Sequence, residues 1–122
     1  MIKLGLKRKI NKIKAFLEER GAKDVTFIDL DGATDVAECF VVATFESIVV
    51  LRSTVRDLWE VLESLGLKVN SRHKEVGDDG WYVIDCGNVV IHLFGEEMRE
   101  FYSLDKLWEG YKKKIAETKD NE

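Results

Sequence analysis

Leu6, Ile10, Ile13 and Leu17 recur at spacings of four, three and four, with Phe16 adjoining. That period places one apolar stripe along a first helix ending at Gly21. Lys7, Lys9, Lys12 and Lys14 fall mostly off the stripe, so the helix is apolar toward a core and basic on its other sides. Val25 to Leu30 reads as a strand, stopped by the turn pair Asp31-Gly32. A short helical turn around Thr34 to Ala37 then leads into a second strand, Cys39 to Phe45. Its apolar residues occupy both alternating sets of positions, as in the middle of a sheet covered on both sides.

Ser47 is placed to cap the next helix by accepting a backbone hydrogen bond from its first turn. Ile48, Leu51, Val55, Leu58, Leu62 and Leu65 follow three and four apart without a miss, and Gly66 stands where a left-handed C-terminal cap is wanted. Leu67 to Asn70 reads as a short strand and Ser71 to Gly80 as a polar loop. Two short runs come next, Trp81 to Cys86 and Val89 to Phe94, joined by Gly87-Asn88, a pair suited to a two-residue hairpin turn. Glu96 to Tyr102 reads as helix, and Ser103 caps a last helix carrying Leu104, Leu107, Trp108, Tyr111 and Ile115.

With Gly87 and Asn88 as the turn, Cys86 opposes Val89, Ile84 opposes Ile91 and Tyr82 opposes Leu93 on one face of the hairpin. On the other face Asp85 opposes Val90, Val83 opposes His92 and Trp81 opposes Phe94. The first face is a core face. The second mixes two large aromatics with Asp85 and His92, a composition that suits either a recognition surface or a second, helix-covered core.

The 122 residues are enough for one domain and too few for a catalytic domain with a separate cofactor domain. A composition 45% hydrophobic and 34% charged supports a packed core and excludes global disorder. The apolar runs at 39–45 and 89–94 are far shorter than the ~20 residues of a membrane span, and the start lacks the pattern of a secretory signal. A cytoplasmic chain is expected. Its domain runs over 1–115, including the basic first helix, with a polar tail at 116–122.

The net charge of -4 is segregated. Residues 1–23 hold eight Lys and Arg against Glu18 and Glu19, a balance of +6, which leaves -10 on the rest. From Glu75 to Asp105 there are eight acids and one base, Arg99. A broad nucleic-acid platform needs basic charge spread over the docking face, so this layout argues against one, although not against a local phosphate contact by the first helix.

Two cysteines without a Cys-x-x-Cys spacing give no metal framework and no expected disulfide; Cys39 and Cys86 read as buried thiols. His92, facing a carboxylate such as Asp85, reads as a satisfied polar pair rather than a base. No hydrolase elbow, Walker loop or dinucleotide fingerprint occurs. One enzymatic arrangement stays open: Asp29, Asp31 and Asp85 gathered around two divalent cations for nucleotidyl transfer. It lacks the small-residue turn a triphosphate needs, since Thr44-Phe45-Glu46-Ser47 stands there instead.

Three blocks carry a family resemblance: Asp35 to Thr44 before the long helix, Gly80-Trp81-Tyr82-Val83-Ile84-Asp85-Cys86-Gly87-Asn88-Val89-Val90-Ile91-His92-Leu93-Phe94, and Arg99 to Trp108. In order and separation they resemble the ribosomal silencing factor (Iojap/RsfS) family from about Lys3 to Gly110. The resemblance implies an α/β fold, a single compact domain with a mixed sheet flanked by helices, nucleotidyltransferase-like but without a catalytic site. It implies no cofactor and no metal. It also implies binding to the large ribosomal subunit through ribosomal protein L-fourteen, blocking subunit joining and repressing translation; organellar relatives act in large-subunit assembly. Carried over by motif, the contact residues are Trp81, Asp85, His92 and Phe94, with Arg99, Phe101 and Tyr102 beside them. The acidic stretch suits a basic ribosomal protein. The basic first helix is either an accessory contact to ribosomal RNA or a solvated face, and the exposed hairpin face offers the free chain a homodimer contact. Glu38-Cys39 and Phe45-Glu46-Ser47-Ile48 depart from the family pattern, which puts any family role of the second turn in doubt.

Overall fold

The computed structural model describes residues 4–29, 39–69 and 80–96. Its centre is strand β2, Cys39–Phe45, in which every side chain is buried. Around it stand helix α1 (Leu4–Glu19), strand β1 (Lys23–Asp29), helix α2 (Ile48–Ser64), strand β3 (Trp81–Asp85) and strand β4 (Val89–Gly95). The sheet order is β1-β2-β4-β3. β2 runs parallel to β4, while the β1/β2 and β3/β4 pairs are antiparallel. The mixed sheet with helices is the expected α/β architecture.

Register assigns the faces. Cys39, Val41, Ala43 and Phe45 line up with Val89, Ile91 and Leu93, and with Tyr82, Ile84 and Cys86 they meet Ile10, Ile13 and Leu17 of α1 and Leu51, Val55, Leu58 and Leu62 of α2. Both helices therefore cover one face. The opposite face carries Phe40, Val42, Thr44, Val90, His92 and Phe94, and these are buried too, as the doubly apolar β2 requires.

Local chemistry sets the element ends. Ser47 Oγ accepts from Val50 N–H at the start of α2. At its end Gly66 adopts φ +75°, its N–H donating to Glu63 O and that of Leu67 to Leu62 O, the paired bonds of a Schellman cap. α1 ends the same way two residues earlier than Gly21, which takes φ +92° while its N–H and that of Ala22 donate to Glu18 O and Leu17 O. β1 begins at Lys23 rather than Val25 and carries a bulge: the four residues from Lys23 to Thr26 oppose the three from Thr44 to Val42, with Asp24 at φ +51°.

One expected element is absent. Leu67 to Val69 is not a strand. The amide of Leu67 is consumed by the α2 cap, and Leu67 and Val69 lay their side chains on the core instead of pairing with a sheet edge. The expected turn at 34–37, the helices at 96–102 and from 103 onward, and the division at 115 lie outside the described residues, Glu96 apart. No helix among the described residues is long and apolar enough to cross a membrane.

Candidate functional site

The hairpin register places the expected residues as the sequence pattern demands: Trp81 opposite Phe94, Val83 opposite His92, Asp85 opposite Val90. Trp81 stacks edge-on against Phe94, with ring centroids 5.9 Å apart at 65°. Its indole N–H donates to Nδ1 of His92 at 3.2 Å. Phe40 meets the other side of the imidazole in a T-shaped contact at 4.5 Å. His92 thus sits in an aromatic cage with no exposure to water, and burial lowers its pKa to about 3. It is neutral at pH 7. Because Nδ1 accepts, the bond geometry assigns the proton to Nε2, which has no partner among the described residues.

The expected polar pair between His92 and Asp85 does not form. Asp85 stands two positions along β3 from the residue opposite His92, and its Oδ1 accepts the N–H of Gly87 at 2.8 Å. That bond braces the turn, where Gly87 takes φ +80° and Cys86 N–H donates to Val89 O at 2.8 Å.

Burial divides the mixed face. His92 and Phe94 are buried, so they back the surface, while Trp81 and Asp85, on the edge strand β3, are half-exposed. Arg99, Phe101 and Tyr102 lie outside the described residues. The structure adds a neighbour, and corrects the place of Ile48, which the periodicity put at the head of the buried α2 stripe. The first turn of α2 exposes Ile48, Val49 and Val50, Val49 at 70%, and a Cβ placed on Gly80 would lie 4.0 Å from Ile48 Cδ1, next to Trp81. Three apolar residues in succession are more than one helix stripe can bury, and that excess is the signal in the sequence.

The sheet separates two of the three carboxylates of the nucleotidyl-transfer arrangement. Asp29 pairs with Cys39 and belongs to the helix-covered side of β1, whereas Asp85 pairs with Val90 on the other side of β3. Those strands are opposite edges of the sheet, three strand spacings or ~14 Å apart. They cannot share a metal pair, and Asp31 lies outside the described residues. Among the described residues no group of three metal-ligating side chains converges. Burial, with Asp85 nearby, pushes the Cys86 thiol up to about 12, which removes its thiolate at neutral pH. Burial likewise raises the Tyr82 phenol to about 12, while Trp59 Nε1 donates to its oxygen at 3.1 Å. Both are core groups.

The fold is that of a small mixed α/β domain whose β3 edge presents an aromatic, partly apolar rim. The chain belongs to the ribosomal silencing factor family, whose model, RsfS, "Ribosomal silencing factor during starvation", matches residues 5–122. It is 33% identical over 89 residues to the ribosomal silencing factor RsfS of Treponema pallidum, covering 72% of this chain and 78% of that one. To the RsfS of Bacillus subtilis it is 27% identical over 94 residues, 77% and 79% of the two chains. A mouse protein, "Mitochondrial assembly of ribosomal large subunit protein 1", is 30% identical over 107 residues, 86% of this chain and 47% of its own length. A crystal structure of a Chromobacterium violaceum protein superposes with a TM-score of 0.68 at 26% identity, covering 83% of this chain and 84% of that one. The family is one of translational regulators associated with the ribosome.

Proposed function

We propose that the chain docks on ribosomal protein L-fourteen of the large subunit in the cytoplasm, with the edge of β3 as its contact surface. By occupying that place it blocks the small subunit and represses translation. The observation that carries this reading is the Trp81 indole, half-exposed at a sheet edge and fixed from behind by His92 and Phe94. A large aromatic held in one orientation loses little freedom on binding, and such residues dominate interface energetics. Ile48 and Val49 extend the apolar centre and Asp85 supplies an acidic rim for a basic partner. Arg99, Phe101 and Tyr102 belong to the same proposed surface through the family motif. The action is steric and requires no cofactor.

Sedimentation with purified large subunits tests this. Wild type is expected in the subunit fraction and Trp81→Ala at the top of the gradient with its circular dichroism unchanged; a wild-type chain that stays at the top at low salt refutes the reading. The mouse relative, named for assembly of the mitochondrial ribosomal large subunit, favours a second role, in large-subunit assembly, through the same surface. Accumulation of immature large subunits on depletion of the chain in growing cells would separate assembly from silencing.

A further inference from the structure

α1 carries five cations, Lys7, Arg8, Lys9, Lys12 and Lys14, and among the described residues none of the five makes an ion pair. The bases that follow them are neutralised: Arg20 pairs with Asp57 on α2, and Lys23 with Glu46 and, at 3.9 Å, Glu96. Lys7, Arg8 and Lys12 are exposed, Lys9 and Lys14 half-buried at the flanks.

The layout opposes the stability of the helix that bears it. The first turn has no acid and the last turn no base, while Glu18 and Glu19 close the helix. Cations in the N-terminal half and acids at the C-terminus both run against the helix dipole. Arg8 and Lys12 at i, i+4, and Lys9 and Lys12 at i, i+3, add like-charge repulsion. No described acid offsets this arrangement, and its charge is complementary to a polyanion. The apolar stripe, Ile10, Ile13 and Leu17, is buried in the core, so the helix has no apolar face to insert into a lipid surface.

We infer that the outward face of α1 is a second docking surface, which binds the phosphate backbone of ribosomal RNA while the β3 edge binds protein. This rests on the reading of the chain as a large-subunit ligand. α1 packs on β1 and β2, the half of the sheet away from β3, so the two surfaces stand about a sheet width, ~14 Å, apart. Two contacts on one rigid body make the second intramolecular and raise avidity without enlarging either.

The test compares the full wild-type chain with the Lys7→Gln/Arg8→Gln/Lys12→Gln variant, in which glutamine keeps helix propensity. Both are titrated against large subunits over a series of KCl concentrations, against isolated L-fourteen, against naked large-subunit RNA and against phosphatidylserine vesicles. The variant is expected to bind subunits at least ~10-fold more weakly at low salt, with the log–log salt slope shallower by about 2 to 3, and to bind L-fourteen as wild type does. Equal affinity and slope for the two chains on subunits would overturn the inference. Failure of wild type on subunits and on L-fourteen refutes the docking reading instead; charge-dependent binding to naked RNA then still supports the α1 assignment, and its absence overturns it. Charge-dependent capture by vesicles but not by RNA also overturns it, in favour of a lipid surface.

Discussion

Trp81 and His92 are joined diagonally across the β3/β4 ladder: Trp81 opposes Phe94 and His92 opposes Val83, yet the indole N–H reaches Nδ1 of the imidazole at 3.2 Å. The buried ring therefore sets the orientation of the half-exposed one. His92→Phe keeps an aromatic backing and removes the acceptor. It is expected to fold and to bind large subunits several-fold more weakly, whereas Trp81→Ala loses about 2 kcal/mol or more. Equal binding by His92→Phe and wild type would show that packing alone holds the indole.

The same histidine makes stability depend on pH. Its folded pKa, about 3, lies below the unfolded value of about 6.5. Above pH 6.5 neither state binds the proton, and the full stability is present. Below it only the unfolded state does, so stability falls by up to about 1.4 kcal/mol per pH unit until the folded pKa is reached. Denaturant titrations should show a loss of about 2 kcal/mol between pH 7 and pH 5 that His92→Phe lacks.

Asp85 braces the turn and is proposed to contact the partner, and one pair of variants separates the two. Asp85→Asn keeps an oxygen for the Gly87 amide and removes the charge; Asp85→Ala removes both. We expect Asp85→Ala to lose about 1 kcal/mol of stability and Asp85→Asn to stay near wild type in thermal melts. Both should bind L-fourteen more weakly, with a reduced salt dependence of association rate. Wild-type binding by Asp85→Asn would confine the residue to the turn.

Val49, the most exposed of the large apolar residues among those described, is expected to tolerate Val49→Asp within about 0.5 kcal/mol of stability. Binding to the large subunit should drop by at least about 1 kcal/mol. Unchanged sedimentation with subunits would remove the start of α2 from the contact surface.

Thr44 is buried on the same face as His92, and its hydroxyl has no partner among the described residues. Its neighbour across the sheet is Phe94. Thr44→Val replaces an unsatisfied hydroxyl by a methyl of similar size and should raise stability by about 1 kcal/mol in urea unfolding. A destabilised Thr44→Val would reveal a hydrogen bond that the hydroxyl makes in solution.

Much of this protein is written in short-range pattern. The stripe Ile10-Ile13-Leu17, the caps at Ser47, Gly21 and Gly66, the buried run of β2 and the hairpin register around Gly87 follow from periodicity and from turn chemistry, both of which act within a few residues. The three family blocks are legible for the same reason, as contiguous strings. Tertiary structure decided the rest. That Asp29 and Asp85 occupy opposite edges depends on strand order, which joins residues far apart in the chain. The absence of a strand at Leu67 to Val69 depends on an amide already spent in a helix cap. The division of the hairpin's mixed face into a buried His92 and Phe94 and a half-exposed Trp81 and Asp85 depends on which strand is the edge. Alternation tells which residues share a face, but only the packing of distant segments determines how much of that face meets water.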